Sequence, residues 1–249
     1  MINPLTEIGK DKLCLANFKE ELQDYLEDNQ SSPYVIYACD ARVLLLFAEA
    51  NKFIYKPYLQ ASKILADGRP VYWLVKSITK SSFEQVTGPE FMISVLSDVR
   101  LKRQRHMFYG GHSKTIELLK RRCQKDGINL VYAESPPFCD IEDLQITSVE
   151  DKIREFDVDF FWCGLGAPKQ EYLIYQLNCN RKVVMTGVGL AFDYYAGSVK
   201  KSPAVVSKLG LEWLVRYSQQ PKRVGRFIRP FFFVLKLLIV DRITKVKLS

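Results

Sequence analysis

The segment VDFFWCGLGAPKQEYLI, residues 158–174, runs from an apolar stretch into a Gly-x-Gly turn, then Pro168 and the polar residues Lys169, Gln170 and Glu171. Proline suits the first turn of a helix, where a missing N–H leaves no bond unmade. The spacing therefore predicts a buried strand, a glycine turn and a helix in that order. Lys169 is then a candidate phosphate contact and Gln170 a donor and acceptor for a base or sugar; taken singly, both also fit a solvated first turn. A second turn, Tyr109-Gly110-Gly111-His112-Ser113, offers backbone amides and a helix N-terminus where an anion can sit. A plain strand-to-helix turn with an exposed His112 fits the same residues. The third, GVGLAFDYYAGSVKKSP at 187–203, sets Asp193 among aromatic residues after a glycine-rich strand end. Its carboxylate either accepts from the hydroxyls of a ribose or sugar or caps a local turn.

Such turns need strands to hold them. Residues 34–38 read as a strand followed by an apolar helix over 43–50, and residues 104–109 as another strand. Ser113 is placed as a helix N-cap, Ile116, Leu119 and Cys123 as the buried stripe, and Gly127 as the stop. A strand over 128–133, a loop at Pro136-Pro137, a helix over 148–155, strands over 158–163 and 182–186, and a helix over 169–178 complete the pattern. Strands alternating with helices predict an α/β fold, a parallel-sheet Rossmann-like sandwich whose ligands bind beyond the carboxyl ends of the strands. The three glycine turns are expected to converge on one cleft there. The expected division is an α/β body over 1–205 and a C-terminal basic amphipathic helical appendage over 206–249.

The charge is uneven. The chain of 249 residues carries a formal +8, yet residues 200–249 hold twelve Lys and Arg against Glu212 and Asp241, so the body is nearly neutral. A basic tail implies an anionic partner. Residues 222–247 mix basic side chains with an apolar run containing Phe231, Phe232 and Phe233. That stretch is too short and too interrupted to span a bilayer and suits an interfacial helix on an anionic membrane surface; a packed terminal helix or a subunit interface remains open. Aromatics without polar interleaving argue against nucleic acid. The six cysteines form no CxxC pair and read as reduced core thiols. No signal peptide or spanning stretch is recognisable, which predicts a cytoplasmic body. No strand leads into GxGxxG with an acidic residue about 20 positions on, which disfavours a dinucleotide-dependent oxidoreductase.

The blocks GLGAPKQE (164–171), GVGLAFDYYAGSVKKSP (187–203) and LGLEWLVRYSQQPKR (209–223) resemble, in order, signatures of the WecG/TagA/CpsF glycosyltransferases. ILADGRPVYWLVK (64–76), VTGPEFM (86–92) and FYGGHS (108–113) resemble the family's earlier blocks. The resemblance implies an inverting transferase that moves an N-acetylhexosamine, N-acetylmannosaminuronate or glucose-type sugar. Its donor is a UDP-sugar and its acceptor a polyprenyl-diphosphate-linked saccharide at the inner face of the cytoplasmic membrane, with no cofactor and no metal. Asp67, matching the family's Asp-Gly aspartate, is then the expected base. Arg216, Arg223 and Arg226 match arginines of an appendage that helps close the family's active site.

Independently, transfer to a hydroxyl needs a carboxylate to take the proton while donors and cations stabilise the departing diphosphate. Asp67 suits the first task, although an Asp-Gly turn has a purely structural reading too. Gly110, Gly111, Lys169 and Gln170 are the candidate nucleotide contacts. The chain departs from the family's Thr-x-Asn block, reading Tyr37-Ala38-Cys39-Asp40 there. Tyr37 is the candidate substrate contact in the threonine position, and the changed block motivates the alternative of a non-catalytic, membrane-docked nucleotide-sugar-binding scaffold. A homo-oligomer is left open.

Overall fold

In the computed structural model the described residues are 4–13, 18–28, 31–79, 85–199 and 225–247. Helices α1 (Pro4–Ile8) and α2 (Phe18–Glu27) precede strand β1 (Tyr34–Cys39). Then come α3 (Ala41–Ala48), α4 (Tyr55–Gln60), β2 (Lys63–Ala66), α5 (Arg69–Thr79) and α6 (Gly88–Ser97). The alternating region follows: β3 (His106–Gly110), α7 (Ser113–Asp126), β4 (Leu130–Glu134), α8 (Ile146–Glu155), β5 (Phe160–Gly164), α9 (Lys169–Gln176), β6 (Val184–Gly187) and α10 (Ala191–Ala196). Helix α11 (Gly225–Lys247) stands at the C-terminal side. The strands form one six-stranded sheet in the order β2-β1-β6-β5-β3-β4, and the pairings from β1 through β4 run parallel. This is the expected α/β, Rossmann-like architecture.

The chain folds as two compact units, one of residues 17–37 and 88–200, the other of residues 1–16, 38–87 and 201–249. In the first, β3 is buried throughout and β5 along Phe160–Cys163, the continuous apolar run that a strand covered on both faces requires. Phe108, Phe160, Phe161, Trp162 and Phe192 expose at most 1%. His106 belongs to this core. Its Nδ1 accepts from Trp162 Nε1 at 3.0 Å, which leaves Nε2 to donate to the Leu101 carbonyl at 3.1 Å, and its ring stacks on Phe160 and Trp162. Burial holds its pKa down to about 4, against the opposing hydrogen bond to Leu101 and the charge of Asp159. Buried Cys123 and Cys163 are pushed up for the same reason, Cys123 to about 12, which makes both poor nucleophiles.

In the second unit, α11 packs on α3 and α5, burying Val234 and Leu237, while Arg229 pairs with Glu49 at 2.5 Å. No helix among the described residues is long and apolar enough to cross a membrane.

Several boundaries differ from expectation for local reasons. The N-cap position of α7 is His112, without a side-chain cap bond, and Ser113 is the first helical residue. Helix α3 starts two residues early because the Asp40 carboxylate accepts from Val43 N at 2.8 Å. The four residues of β2 carry no alternation from which a strand could be recognised.

Candidate active site

Two of the glycine turns touch. Gly110, at the end of β3, has φ 113°, and a Cβ there would stand 2.7 Å from the Gly164 carbonyl carbon at the end of β5. No side chain fits between backbones that close. The third turn joins them through Gln170: its Oε1 accepts from Gly166 N at 3.1 Å and from Gly189 N at 3.0 Å. The three turns thus meet beyond β3, β5 and β6 within one unit.

The neighbourhood is polar. Thr115, in the first turn of α7, donates to Asp193 Oδ1 at 2.8 Å, and Ser198 donates to the same oxygen at 3.1 Å. Asp193 Oδ2 has no hydrogen-bond partner among the described residues. Ser135 donates to the Gly111 carbonyl at 2.7 Å, tying the loop after β4 to the same turn. The first turn of α7, the Gly110-Gly111 pair and a half-buried carboxylate therefore meet at one place. Chemically, such a helix end offers amides that can receive an anion, beside a carboxylate oxygen that can accept from hydroxyls.

The other expected contacts are differently engaged. Lys169 donates to the Cys139 carbonyl and its ammonium lies over the Phe138 ring, 4.1 Å from the centroid; Phe138 is itself 96% exposed. Tyr37 is buried, and its hydroxyl donates to the Glu171 carbonyl at 3.2 Å. Asp40, two residues on from Ala38, is used as the α3 cap. Neither Glu171, fully buried, nor the Thr115 to Asp193 bond was read from the sequence. Glu171 lay in plain view inside GAPKQE, but a charged residue in a first turn ordinarily faces water.

Asp67 lies in the other unit, half-buried in the turn between β2 and α5. Its amide donates to the Cys39 carbonyl at 3.0 Å, so the turn is held against the end of β1. Gly68 follows at φ 83° and α5 begins at Arg69. The carboxylate thus stands at the carboxyl end of a strand, the position this architecture uses for ligands. Arg216 and Arg223 lie outside the described residues, as does the side chain of Arg226 in the first turn of α11. Among the described residues, no three His, Cys, Asp or Glu side chains cluster at metal-binding spacing.

A cleft of about 750 Å³ opens at the opposite, amino-terminal edge of the strands, lined by Gln23, Arg100, Arg105, Arg154, Arg181 and Lys182 among others. Its inner cations are already paired. Arg105 binds Asp159 through Nε and Nη2 at 2.9 and 2.7 Å and also meets Asp157. Arg181 binds Asp157 at 2.5 Å, and Lys182 donates to the carbonyls of Leu26 and Asp28. These pairs lock the starts of β3, β5 and β6 and leave little cationic capacity for an anion.

The model of the glycosyl transferase WecG/TagA/CpsF family matches residues 4–247. The chain is 25% identical over 233 residues to an N-acetylglucosaminyldiphosphoundecaprenol N-acetyl-beta-D-mannosaminyltransferase of Staphylococcus aureus strain MW2, covering 93% of this chain and 90% of that protein. The proteins of the same name from strains NCTC 8325 / PS 47 and MRSA252 match with the same identity and coverage. A match that spans the glycine turns, the Asp-Gly turn and α11 alike shows that this chain belongs to the WecG/TagA/CpsF family of glycosyltransferases.

Proposed function

We propose that this glycosyltransferase moves a sugar from a UDP-sugar onto a polyprenyl-diphosphate-linked saccharide at the inner face of the cytoplasmic membrane. The observation that carries the reading is the meeting of the α7 N-terminus, the Gly110-Gly111 turn and Asp193. Amides and the helix dipole suit a diphosphate, and a carboxylate beside them suits the hydroxyls of the attached ribose or sugar. The relatives' name makes an N-acetylmannosamine donor and an acceptor ending in diphosphate-linked N-acetylglucosamine the first pair to try.

In this reading the acceptor hydroxyl attacks the anomeric carbon and forms the new C–O bond with inversion. Asp67 takes the hydroxyl proton. The bond from the anomeric carbon to the diphosphate breaks, and UDP leaves with the electron pair. The developing charge is met by the Gly110 and Gly111 turn, the α7 N-terminus and cations of the tail, Arg216, Arg223 and Arg226 among them, with no metal required. Lys169 acts at one remove, by holding the Phe138-Cys139 loop.

Helix α11 supplies the membrane contact. Ile228, Phe232, Leu235 and Ile239 recur at intervals of four, three and four and are 38–61% exposed, so they form one apolar stripe. Exposed Arg229 and Lys236 flank it, the combination that seats a helix in an anionic headgroup region.

The test is UDP release by purified wild type and Asp67→Asn, with EDTA present, given UDP-N-acetylmannosamine and a short-chain polyprenyl-diphosphate N-acetylglucosamine. Acceptor-dependent release that falls at least a hundredfold in Asp67→Asn supports the reading. UDP-sugar binding without turnover by either protein would replace it with the scaffold.

A further inference from the structure

Two polar side chains at the start of α9 are buried where a first helical turn is ordinarily solvated: Gln170 is 4% exposed and Glu171 0%. The Gln170 carboxamide is directional. Its Oε1 uses two acceptor positions on two backbone amides, one from each glycine turn, at 3.1 Å to Gly166 N and 3.0 Å to Gly189 N. Its Nε2 donates to Glu171 Oε1 at 2.9 Å. Turning the carboxamide over would set N–H donors against N–H donors on one side and an oxygen against a carboxylate on the other. Glu171 therefore decides which end of Gln170 faces the turns. Tyr37 fixes the backbone of Glu171 in turn, through its hydroxyl bond to that residue's carbonyl. Gly187 makes room for the assembly, since a Cβ there would stand 2.9 Å from Gln170 Nε2.

We propose that Gln170 is a positioning residue, oriented by Glu171, which fixes the 164–168 and 187–190 turns against each other and so holds the Gly110-Gly111 turn, packed on Gly164, in the shape that takes a nucleotide diphosphate. This rests on the transferase reading for the identity of the ligand. Gln170 acts through the amides of Gly166 and Gly189, and both acceptor positions of its oxygen are committed before any ligand arrives. Glu171 acts through Gln170. The side chain that looked in the sequence like a contact for a base or sugar is instead the tie beneath the site.

The experiment combines amide hydrogen exchange by NMR on the ¹⁵N-labelled full chain with UDP affinity by calorimetry, for wild type, Gln170→Met and Glu171→Gln. Methionine keeps the length of Gln170 and removes its polarity; glutamine at 171 retains an oxygen that accepts from Gln170 Nε2. In Gln170→Met the Gly166 and Gly189 amides are expected to exchange at least tenfold faster, with β3 and β5 unchanged, and the UDP Kd to rise at least tenfold. Glu171→Gln, which keeps an acceptor and loses the charge, is expected to speed exchange at both glycines, though by less than Gln170→Met does; exchange as slow as in the wild type would take Glu171 out of the orientation of Gln170 and overturn that part of the proposal. Loss of UDP affinity in Gln170→Met with unchanged exchange at both glycines would make Gln170 a direct ligand contact and overturn the proposal, as would wild-type affinity in that variant. A wild type that binds no UDP defeats the transferase reading, whereas faster exchange at those glycines in Gln170→Met still upholds the tie. Should Gln170→Met not fold, the wild type decides: a Gln170 side-chain amide resonance unmoved by saturating UDP upholds the proposal, and one that shifts as a bound contact does overturns it.

Discussion

Lowering the pH should weaken the core through one histidine. His106 is 0% exposed between Phe160 and Trp162, accepts from the Trp162 indole and has its pKa held down to about 4 by burial. In the unfolded chain it titrates near 6.5. Between those values the unfolded state takes up a proton that the folded state refuses. The contribution of His106 is therefore fully present above pH 6.5 and is lost as the pH falls toward 4, below which both states are protonated. A separation of that size is worth about 3 kcal/mol at the low end, a large fraction of the 5–15 kcal/mol or so typical of a folded domain. The assay is urea unfolding from pH 7.5 to 4 for wild type and His106→Asn. Carboxylates also titrate in this window, so the informative quantity is the difference between the two curves. Wild type should lose about 3 kcal/mol more than the variant on going from pH 7 to 4, and the His106 ring should stay neutral by NMR to below pH 5. Parallel curves, or a His106 ring that titrates near 6.5 in the folded protein, would refute the reasoning.

Three further outcomes follow from the geometry. Gly110→Ala meets a backbone atom at 2.7 Å in a positive-φ conformation; it should cost about 2 kcal/mol or more by thermal melting and weaken UDP binding at least tenfold, and a variant with wild-type values would refute the close approach. Asp40→Ala removes the α3 cap, so it should cost about 1 kcal/mol while UDP release stays within twofold; a hundredfold loss of turnover would instead give Asp40 a place in the chemistry. Phe232→Asp puts a charge in the exposed stripe of α11 and forgoes about 2 kcal/mol of apolar transfer. Its partition onto vesicles of mixed phosphatidylglycerol and phosphatidylethanolamine should fall at least tenfold, and unchanged sedimentation would remove the membrane role from this face.

The alternation of apolar runs with glycine turns already determined the parallel α/β fold, because a strand buried on both faces and the turn that follows it are set by local chemistry. The same logic made Gly110, Gly111, Gly164 and Gly187 legible as strand ends, and the ordered blocks around them made the family legible. Partners were not legible. Short β2 has too few residues to show a period, and the role of Asp40 as the α3 cap is seen only with Val43 N 2.8 Å from its carboxylate. Gln170 and Glu171 look solvated in a first helical turn, and only packing against the 187–190 turn, distant in sequence, buries them and commits their bonds. Tyr37 is separated from Glu171 by 134 residues, and His106 from Trp162 by 56. The sequence by itself determines which side chains are able to bond; which of them meet, and which are thereby used before a ligand arrives, depends on long-range closure of the chain, a property of the tertiary structure alone.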